Sequence, residues 1–265
     1  MYDSDEITEA IQRATELIKS ATRPSAFTGA GMSQESGIPT YRQEKGSVWD
    51  EHDIDEVGTA FAWHLNPQKV WDFWMEQCKK MQAANPNAGH LALSQMENKH
   101  LSGLPIITQN IDDLHERSGS RNVIHLHGKL MQKRCSRYCK GVPSLVADND
   151  LVYSSEHSVP LCPHCGELIR PDVILFGEYL HAYPMEQAEM IIDQTDLMII
   201  IGTSGLVAPA SKIPLRAQDN GARLIEVNPS RSRITPNVDI YIPLSSGEAL
   251  TQILNLLEKD SINSH

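Results

Sequence analysis

Short apolar runs recur along the chain, and each one leads into polar residues or glycine. Their alternation with helical patterns predicts an α/β fold with a Rossmann-like parallel sheet. The predicted strands are 25–28, 105–108, 123–127, 197–202 and 224–227. Ligands of open α/β sheets bind beyond the carboxyl ends of the strands, so the residues that follow each run are the candidates for function.

Two stretches interrupt this alternation. The first is rich in aromatic residues, and Val70, Trp74 and Cys78 fall on one helical face there. The second holds four of the five cysteines. We predict a large Rossmann-like domain and two insertions: the domain from 1–35, 82–128 and 172–260, a helical insertion with a cofactor loop at 36–81, and a small zinc-binding module at 129–171.

The charge balance limits the classes of partner. The chain of 265 residues has 23 Lys and Arg against 34 Asp and Glu, a formal net charge of −11. Such a chain repels nucleic acid and favours a basic partner, such as a lysine-bearing peptide. No secretory signal and no apolar run of membrane-spanning length is apparent. We therefore expect a soluble cytoplasmic protein that is a monomer or a weak oligomer and binds neither nucleic acid nor membrane.

The cysteines form two close pairs with the spacing of a metal site. Cys135 and Cys139 precede Cys162 and Cys165, and all four lie in one insertion. Two thiolate pairs on tight turns can complete a tetrahedron around one zinc ion, and a site with four protein ligands is structural. Two alternatives are that His164 replaces one of the thiolates and that the four thiols are unrelated. The fifth cysteine, Cys78, is expected to pack in a helix face.

A glycine-bearing turn follows the first predicted strand. The residues from Gly29 to Ser33 read Gly-Ala-Gly-Met-Ser, and glycine there lets the backbone approach a pyrophosphate. The third glycine of the usual dinucleotide fingerprint is missing, so this turn alone is weak evidence.

Further motifs strengthen the interpretation. They are Gly-Ile-Pro-Thr-Tyr-Arg ending at Arg42, Gln-Asn-Ile-Asp at 109–112, His-Gly at 127–128, Arg-Pro-Asp-Val-Ile-Leu-Phe-Gly-Glu at 170–178, Gly-Thr-Ser at 202–204 and Glu-Val-Asn at 226–228. In this order and spacing they resemble the sirtuin family of NAD-dependent protein deacylases. The resemblance covers most of the chain. It implies a Rossmann-like domain with a small zinc domain, and NAD as co-substrate.

The resemblance also implies which residues contact the nucleotide. Asn110 and Asp112 match the nicotinamide pocket and ribose contacts, and Ser246 or its neighbour Ser245 matches an adenine contact. The full set of expected cofactor contacts is Gly29, Ala30, Gly31, Ser33, Pro39, Tyr41, Arg42, Trp49, Gln109, Asn110, Ile111, Asp112, Gly202, Thr203, Ser204, Asn228 and Ser246.

By the same resemblance, His127 is the general base and Asn110 is the second catalytic residue. Histidine suits a base because its ordinary pKa lies near neutrality. The alternative for His127 is a packing role at the end of a strand, and His125 fits that role better. In this family the acyl group passes to the ribose of NAD. The products are nicotinamide, free lysine and O-acyl-ADP-ribose.

The resemblance places an acyl-lysine peptide along Val173, Phe176, Gly177 and Glu178, paired as an added strand. The aromatic insertion is similar to the branch that includes desuccinylases, which holds a distal carboxylate with Tyr-x-x-Arg. Here Trp74 and Gln77 stand at those positions. A buried carboxylate without a cation is costly, so we predict a neutral acyl group, acetyl first, with Gln77 able to bond a neutral polar tip.

Other functions share this pocket. An ADP-ribosyltransferase or an NAD hydrolase would use the same nicotinamide site but would not need the peptide strip. A non-catalytic NAD sensor would not need His127 and Asn110. A nucleic-acid-binding zinc ribbon is disfavoured by the negative charge.

Overall fold

The computed structural model describes residues 3–40, 52–99, 101, 103–154 and 159–263. In these ranges the strands are β1 (Pro24–Thr28), β2 (Ile106–Thr108), β3 (Val123–His125), β4 (Gly128–Cys135), β5 (Leu145–Val146), β6 (Ile169–Val173), β7 (Leu197–Ile201), β8 (Arg223–Val227) and β9 (Ile240–Ile242). The helices are α1 (Ser4–Ser20), α2 (Ile54–Val57), α3 (Ala60–Leu65), α4 (Pro67–Ala83), α5 (Ala88–Lys99), α6 (Leu114–Arg117), α7 (Ala182–Ile192), α8 (Ile213–Asp219) and α9 (Ser246–Asn263).

Six strands form a parallel sheet in the order β3-β2-β1-β7-β8-β9. The strand order reverses at β1, which lies at the centre beside β2 and β7. The α/β class and the parallel sheet predicted from the sequence are confirmed. The strand β9 was not predicted, and β3 ends at His125 although the run was expected to continue to residue 127.

The sheet is covered by helices on both faces, which explains why its central strands are continuously apolar. In β7, Ile199 and Ile201 pack with Ile18, Leu93 and Leu250 of α1, α5 and α9. The alternate residues of β7 pack on the opposite face with α7 and α8. The period of two along a strand thus divides one apolar run between two cores.

A second sheet is antiparallel, in the order β5-β4-β6. The helix α4 begins at Pro67, with the Asn66 side chain accepting from the Lys69 N–H at 3.1 Å. Its buried face, including Val70 and Trp74, packs with Leu130 of β4 and Val173 of β6. The predicted aromatic insertion therefore covers the second sheet.

At the carboxyl end, α9 continues to Asn263. Within the described ranges, the helices are all too short or too polar to cross a membrane.

Candidate active site

A deep cleft lies between the carboxyl edge of the parallel sheet and the second sheet with its covering helices. It holds about 1240 Å³ of empty space, part of it open to solvent. Most of the predicted site residues line it. They are Gly29, Ala30, Ser33, Pro39, Trp74, Gln109, Asn110, Ile111, Asp112, His127, Val173, Phe176, Gly177, Glu178, Gly202, Thr203 and Ser204.

The glycine turn after β1 packs closely against the end of β7. The Gly31 N–H donates to the Gly202 carbonyl at 2.8 Å, and a Cβ at Gly31 would lie 2.7 Å from the Gly202 Cα. Gly202 has φ of +61°, a conformation in which glycine is favoured. The N–H groups of Ala30, Thr203 and Ser204 have no acceptor among the described residues. Three backbone donors at neighbouring strand ends fit the phosphates of a dinucleotide.

A buried polar network lies beside this turn. The Ser33 hydroxyl donates to Asp112 Oδ2 at 2.8 Å and accepts from Asn110 Nδ2 at 3.2 Å. The other Asp112 oxygen accepts from the Leu114 N–H. Burial raises the pKa of Asp112, and the bonds from Leu114 and Ser33 oppose that shift. Asn110 and Asp112 are thus held in fixed positions on the cleft wall, where they present polar atoms to a bound amide or ribose.

Among the described residues, the Nδ1 atom of His127 has a hydrogen-bond partner and the Nε2 atom has none. Its Nδ1 lies 2.9 Å from the Gln109 carbonyl oxygen, which can only accept, so Nδ1 carries the proton. Burial lowers the pKa of His127, and the bond to Gln109 opposes that shift. The ring is therefore neutral at pH 7, with Nε2 as a proton acceptor. Gly128 follows with φ of +80°, and a Cβ there would meet the Asp172 carbonyl oxygen at 2.0 Å.

Both ring nitrogens of His125 have partners within the protein. Its Nδ1 lies 3.0 Å from the Asn110 carbonyl oxygen and its Nε2 lies 2.9 Å from Glu116. Both contacts are internal, and His125 is buried. This is the structural role that the sequence favoured for His125.

Gln109 links the segment after β2 to the segment after β7. Its Nε2 donates to the Thr203 hydroxyl at 2.9 Å. Asn228 donates to the Thr203 carbonyl at 2.8 Å. Asn228 is buried and does not line the cleft, so it holds the loop after β7 in place from behind.

Several other predicted residues stand apart from the cleft. Gly31 belongs to the turn but packs against Gly202 and does not line the cleft, and Gln77 is buried without reaching the lining. The Ser246 hydroxyl donates to Glu35 at 2.9 Å and is buried at the start of α9. The three predicted cofactor contacts Tyr41, Arg42 and Trp49 lie outside the described residues.

The expected peptide strip forms one rim of the cleft. Phe176 pairs with the segment before α3: its N–H donates to the Gly58 carbonyl, and its carbonyl accepts from the Ala60 N–H, both at 2.9 Å. Gly177 follows with no backbone hydrogen bond to a described residue. The Phe176 backbone is thus used by the protein itself, and Gly177 offers the open edge for an added strand.

The carboxylate of Glu178 holds this rim in place. Its carboxylate accepts from Arg170 at 2.6 and 3.1 Å and from the Leu175 N–H at 2.8 Å. Arg170 also donates to the Val173 carbonyl at 3.0 Å. A bidentate arginine pair of this kind restricts geometry as well as adding energy. The carboxylate of Glu178 is therefore engaged in holding the turn at 175–178.

The wall of the cleft that α4 forms is apolar. Trp74 donates its indole N–H to the Val57 carbonyl at 3.1 Å, and Met81 lies two turns further along α4. Nine described lining residues were not predicted from the sequence: Ile38, Gly58, Met81, Ile174, Leu175, Leu180, Val207, Ala208 and Pro209. Most are ordinary apolar residues whose type carries no functional signal. The 207–209 segment could have been found because it follows the predicted motif at 202–204.

The four predicted metal ligands come together. All four sulfur atoms lie within 4.8 Å of one another, with Cys135 to Cys165 at 3.5 Å and Cys139 to Cys162 at 3.7 Å. Four thiolates at about 2.3 Å from a tetrahedral zinc ion lie about 3.8 Å apart, so the cluster fits zinc. Cys78 is separate and buried, with its sulfur 3.5 Å from that of Met131.

Comparison with known sequences identifies related proteins. A sequence model of the Sir2 family matches residues 29–209. The NAD-dependent protein deacylase of Thermococcus kodakarensis is 39% identical, over 91% of this chain and 93% of its own length. That of Corynebacterium glutamicum is 38% identical, over 94% of this chain and 96% of its own length.

Comparison with solved structures identifies proteins of the same family. A Sir2 homologue in complex with NAD is 35% identical, with a TM-score of 0.81 and coverage of 94% of both chains. A Sir2 variant with a deacetylated p53 peptide and 3′-O-acetyl-ADP-ribose is 29% identical. Its TM-score is 0.81, with coverage of 93% of this chain and 98% of the other.

Proposed function

Since the chain belongs to the Sir2 family and is an NAD-dependent protein deacylase, we propose that it removes short uncharged acyl groups, acetyl first, from lysine side chains. The acyl group would pass to the ribose with the uptake of one water molecule, giving nicotinamide, free lysine and O-acyl-ADP-ribose. The related structure with a deacetylated peptide and acetyl-ADP-ribose supports this reaction. We further propose that the protein acts as a monomer or weak oligomer in the cytoplasm and does not bind nucleic acid.

We choose a neutral acyl group because the described residues that line the cleft supply no cation. Among the described residues that line the cleft there is no Lys or Arg, and the wall at Trp74 and Met81 is apolar. A carboxylate buried there would lose its hydration without gaining an ion pair, which costs several kcal/mol. A neutral acyl chain loses little on entering the same wall. The site therefore favours acetyl and related neutral groups over succinyl.

The nucleotide would lie along the carboxyl edge of the parallel sheet. The Ala30, Thr203 and Ser204 N–H groups would hold its phosphates, and Asn110 and Asp112 would hold the nicotinamide end. NAD supplies the ribose carbon that accepts the acyl oxygen once nicotinamide has left. The buried walls of the cleft keep bulk water from that carbon.

His127 would act as the proton acceptor. The Gln109 carbonyl keeps the proton on Nδ1 and leaves Nε2 free to remove a proton from a ribose hydroxyl. Burial favours the neutral ring at physiological pH. Asn110 would orient the reacting groups through its fixed amide, since its Nδ2 is bound to Ser33.

The acyl-lysine peptide would lie extended along the rim at Gly177. Backbone pairing there gives affinity with little dependence on sequence. The zinc ion would hold the small module together and take no part in the reaction, because all four of its positions are filled by cysteine.

The test is a comparison of acetyl-lysine and succinyl-lysine in one peptide sequence, with kcat/KM measured for each at saturating NAD. We expect acetyl to exceed succinyl by about tenfold or more, in keeping with an unpaired buried charge. The unacylated peptide serves as the control for NAD loss without acyl transfer. A higher kcat/KM for succinyl would contradict the proposal.

A further inference from the structure

Two histidines contact the backbone of the cleft wall at consecutive residues. His127 Nδ1 lies 2.9 Å from the Gln109 carbonyl oxygen, and His125 Nδ1 lies 3.0 Å from the Asn110 carbonyl oxygen. The proposed reaction uses His127 as the proton acceptor and leaves His125 without a role. His125 is buried and does not line the cleft, so it contacts the motif at 109–112 from the side away from the cavity.

Asn110 is held at three points. Its N–H donates to the Thr108 hydroxyl at 3.0 Å, and its side-chain amide donates to the Ser33 hydroxyl at 3.2 Å. His125 supplies the third contact, at the carbonyl oxygen. Of these three contacts, the one from His125 acts on the peptide group that joins Asn110 to Ile111.

A peptide group is planar and trans, so fixing one of its ends also fixes the other. The carbonyl of Asn110 and the N–H of Ile111 belong to one peptide group and point in opposite directions. The bond from His125 therefore directs the Ile111 N–H away from the buried side of the segment. This N–H has no acceptor among the described residues, and Ile111 lines the cleft. The segment thus offers a backbone donor beside the Asn110 amide.

A charged network holds the His125 ring. Its Nε2 lies 2.9 Å from Glu116, whose carboxylate also accepts from Lys129 Nζ at 2.6 Å. Burial would raise the pKa of Glu116, but the hydrogen bonds and charges of His125 and Lys129 lower it to about 2. Glu116 is thus an anion, and neither its carboxylate nor the Asn110 carbonyl can donate. The His125 ring makes both bonds together only as a double donor, which gives a charge-assisted bond to the Asn110 carbonyl.

We infer that His125 is a positioning residue for the nicotinamide end of the bound dinucleotide. Through the Asn110 carbonyl it sets the plane of the 110–111 peptide group, so that the Ile111 N–H meets the carboxamide oxygen of nicotinamide. His125 touches neither substrate nor cofactor and acts only through this peptide group. Loss of the bond lets the peptide group turn, which weakens nicotinamide binding and misplaces the leaving group. The inference rests on the proposed function, which places Asn110 at the nicotinamide end.

Two substitutions at one position separate the two contacts of the ring. An asparagine amide lies close to where Nδ1 was, and a glutamine amide lies close to where Nε2 was. His125→Asn therefore keeps a donor for the Asn110 carbonyl, whereas His125→Gln keeps a donor for Glu116 alone. Lys129→Met is the matched control, because it removes the other donor to Glu116 and leaves the bond to Asn110 in place. A thermal unfolding midpoint for each variant shows whether the fold is kept.

The assay compares nicotinamide with a ligand that lacks it. We measure kcat and KM for an acetyl-lysine peptide, the inhibition constant of nicotinamide, and the Kd of ADP-ribose by calorimetry. For His125→Gln we expect the inhibition constant to rise about three- to tenfold, the range of one net hydrogen bond, and kcat to fall about tenfold. Its ADP-ribose Kd and peptide KM should stay within about twofold of wild type, because those contacts lie elsewhere in the cleft. His125→Asn and Lys129→Met should stay within about twofold of wild type in all four values.

A folded His125→Gln protein with wild-type kcat and wild-type nicotinamide inhibition would overturn the inference. An equal loss in all four values would also overturn it, because that pattern indicates general damage to the cleft. So would a folded His125→Asn protein that is impaired as strongly as His125→Gln.

The asparagine variant decides alone if His125→Gln does not fold. Wild-type nicotinamide inhibition in His125→Asn would then support the inference, and a rise of about threefold or more in the inhibition constant would reject it. If neither variant folds, His125 holds the fold as a whole and the inference is rejected. If the wild-type protein neither consumes NAD with the acetyl peptide nor is inhibited by nicotinamide, the proposed function itself fails.

Discussion

Two buried histidines predict an acid-sensitive fold. His90 and His115 are almost fully buried with ring centroids 4.9 Å apart, and neither His90 Nε2 nor His115 Nδ1 has a hydrogen-bond partner among the described residues. Burial lowers the pKa of His90 to about 4, although the nearby Glu35 opposes that shift. Burial also lowers the pKa of His115 well below its ordinary value, and the neighbouring His90 adds to that shift.

The sign and size of the effect follow from proton uptake. An unfolded histidine binds a proton near pH 6.5, whereas folded His90 resists protonation until about pH 4. The unfolded state therefore takes up protons first, and the free energy of unfolding falls as the pH drops below 6.5. His90 alone accounts for about 1 to 2 kcal/mol at about pH 5.5, rising toward about 3 kcal/mol near pH 4.

The assay is urea denaturation of wild-type protein and His90→Asn between about pH 7.5 and about pH 5.5. The Asn87 N–H donates to His90 Nδ1 at 3.3 Å, and an asparagine oxygen can accept in its place. The variant should lose some stability at all pH values because it fills less volume. It should also lose about 1 to 2 kcal/mol of the wild-type pH dependence. If the free energy of unfolding depended on pH equally in both proteins, His90 would not be the source of the acid sensitivity.

Three further predictions concern the metal, the rim and the turn. Cys165→Ser or zinc chelation should lower the thermal unfolding midpoint, because structural zinc contributes folding energy. Metal analysis should find about one zinc per chain only in the unmodified protein, and an unchanged midpoint would count against a structural site. Glu178→Gln should raise the peptide KM about tenfold while the NAD KM and kcat change little, because the ion pair between Arg170 and residue 178 that holds the rim is weakened. A fall in kcat alone would contradict this. Gly31→Ala should weaken NAD binding at least tenfold by calorimetry, because the new Cβ would force the turn away from Gly202; wild-type affinity would show that the turn can yield.

The sheet was predictable because its strands are short apolar runs buried on both faces. β9 was missed because it has three residues and a half-buried centre at Tyr241, so the sequence shows no distinct run. The second sheet was also missed, since β4 mixes charged and apolar residues and shows no clear alternation. Burial of its Arg134 between chain segments is a tertiary effect that no local pattern reveals.

The site was predictable where residues follow the strands of the large sheet directly. The resemblance assigns Ser246 to the nucleotide, and this stays a prediction. The structure shows that the Ser246 hydroxyl donates to Glu35, 211 positions away in sequence. Glu35 also accepts from the Gly247 N–H at 2.7 Å at the start of α9. Helix starts need acceptors for their free N–H groups, and the fold supplies this one from a distant turn. Such long-range partners are decided by packing and cannot be read from spacing.

The most direct test of the deacylase reaction follows NAD consumption with an acetyl-lysine peptide, with the unacetylated peptide and with no peptide, and identifies the products by mass. We expect nicotinamide and O-acetyl-ADP-ribose only with the acetylated peptide. We also expect loss of turnover in His127→Ala, because Nε2 of His127 is the proton acceptor that the cleft provides. Equal NAD loss without any peptide, or full turnover in folded His127→Ala, would contradict it.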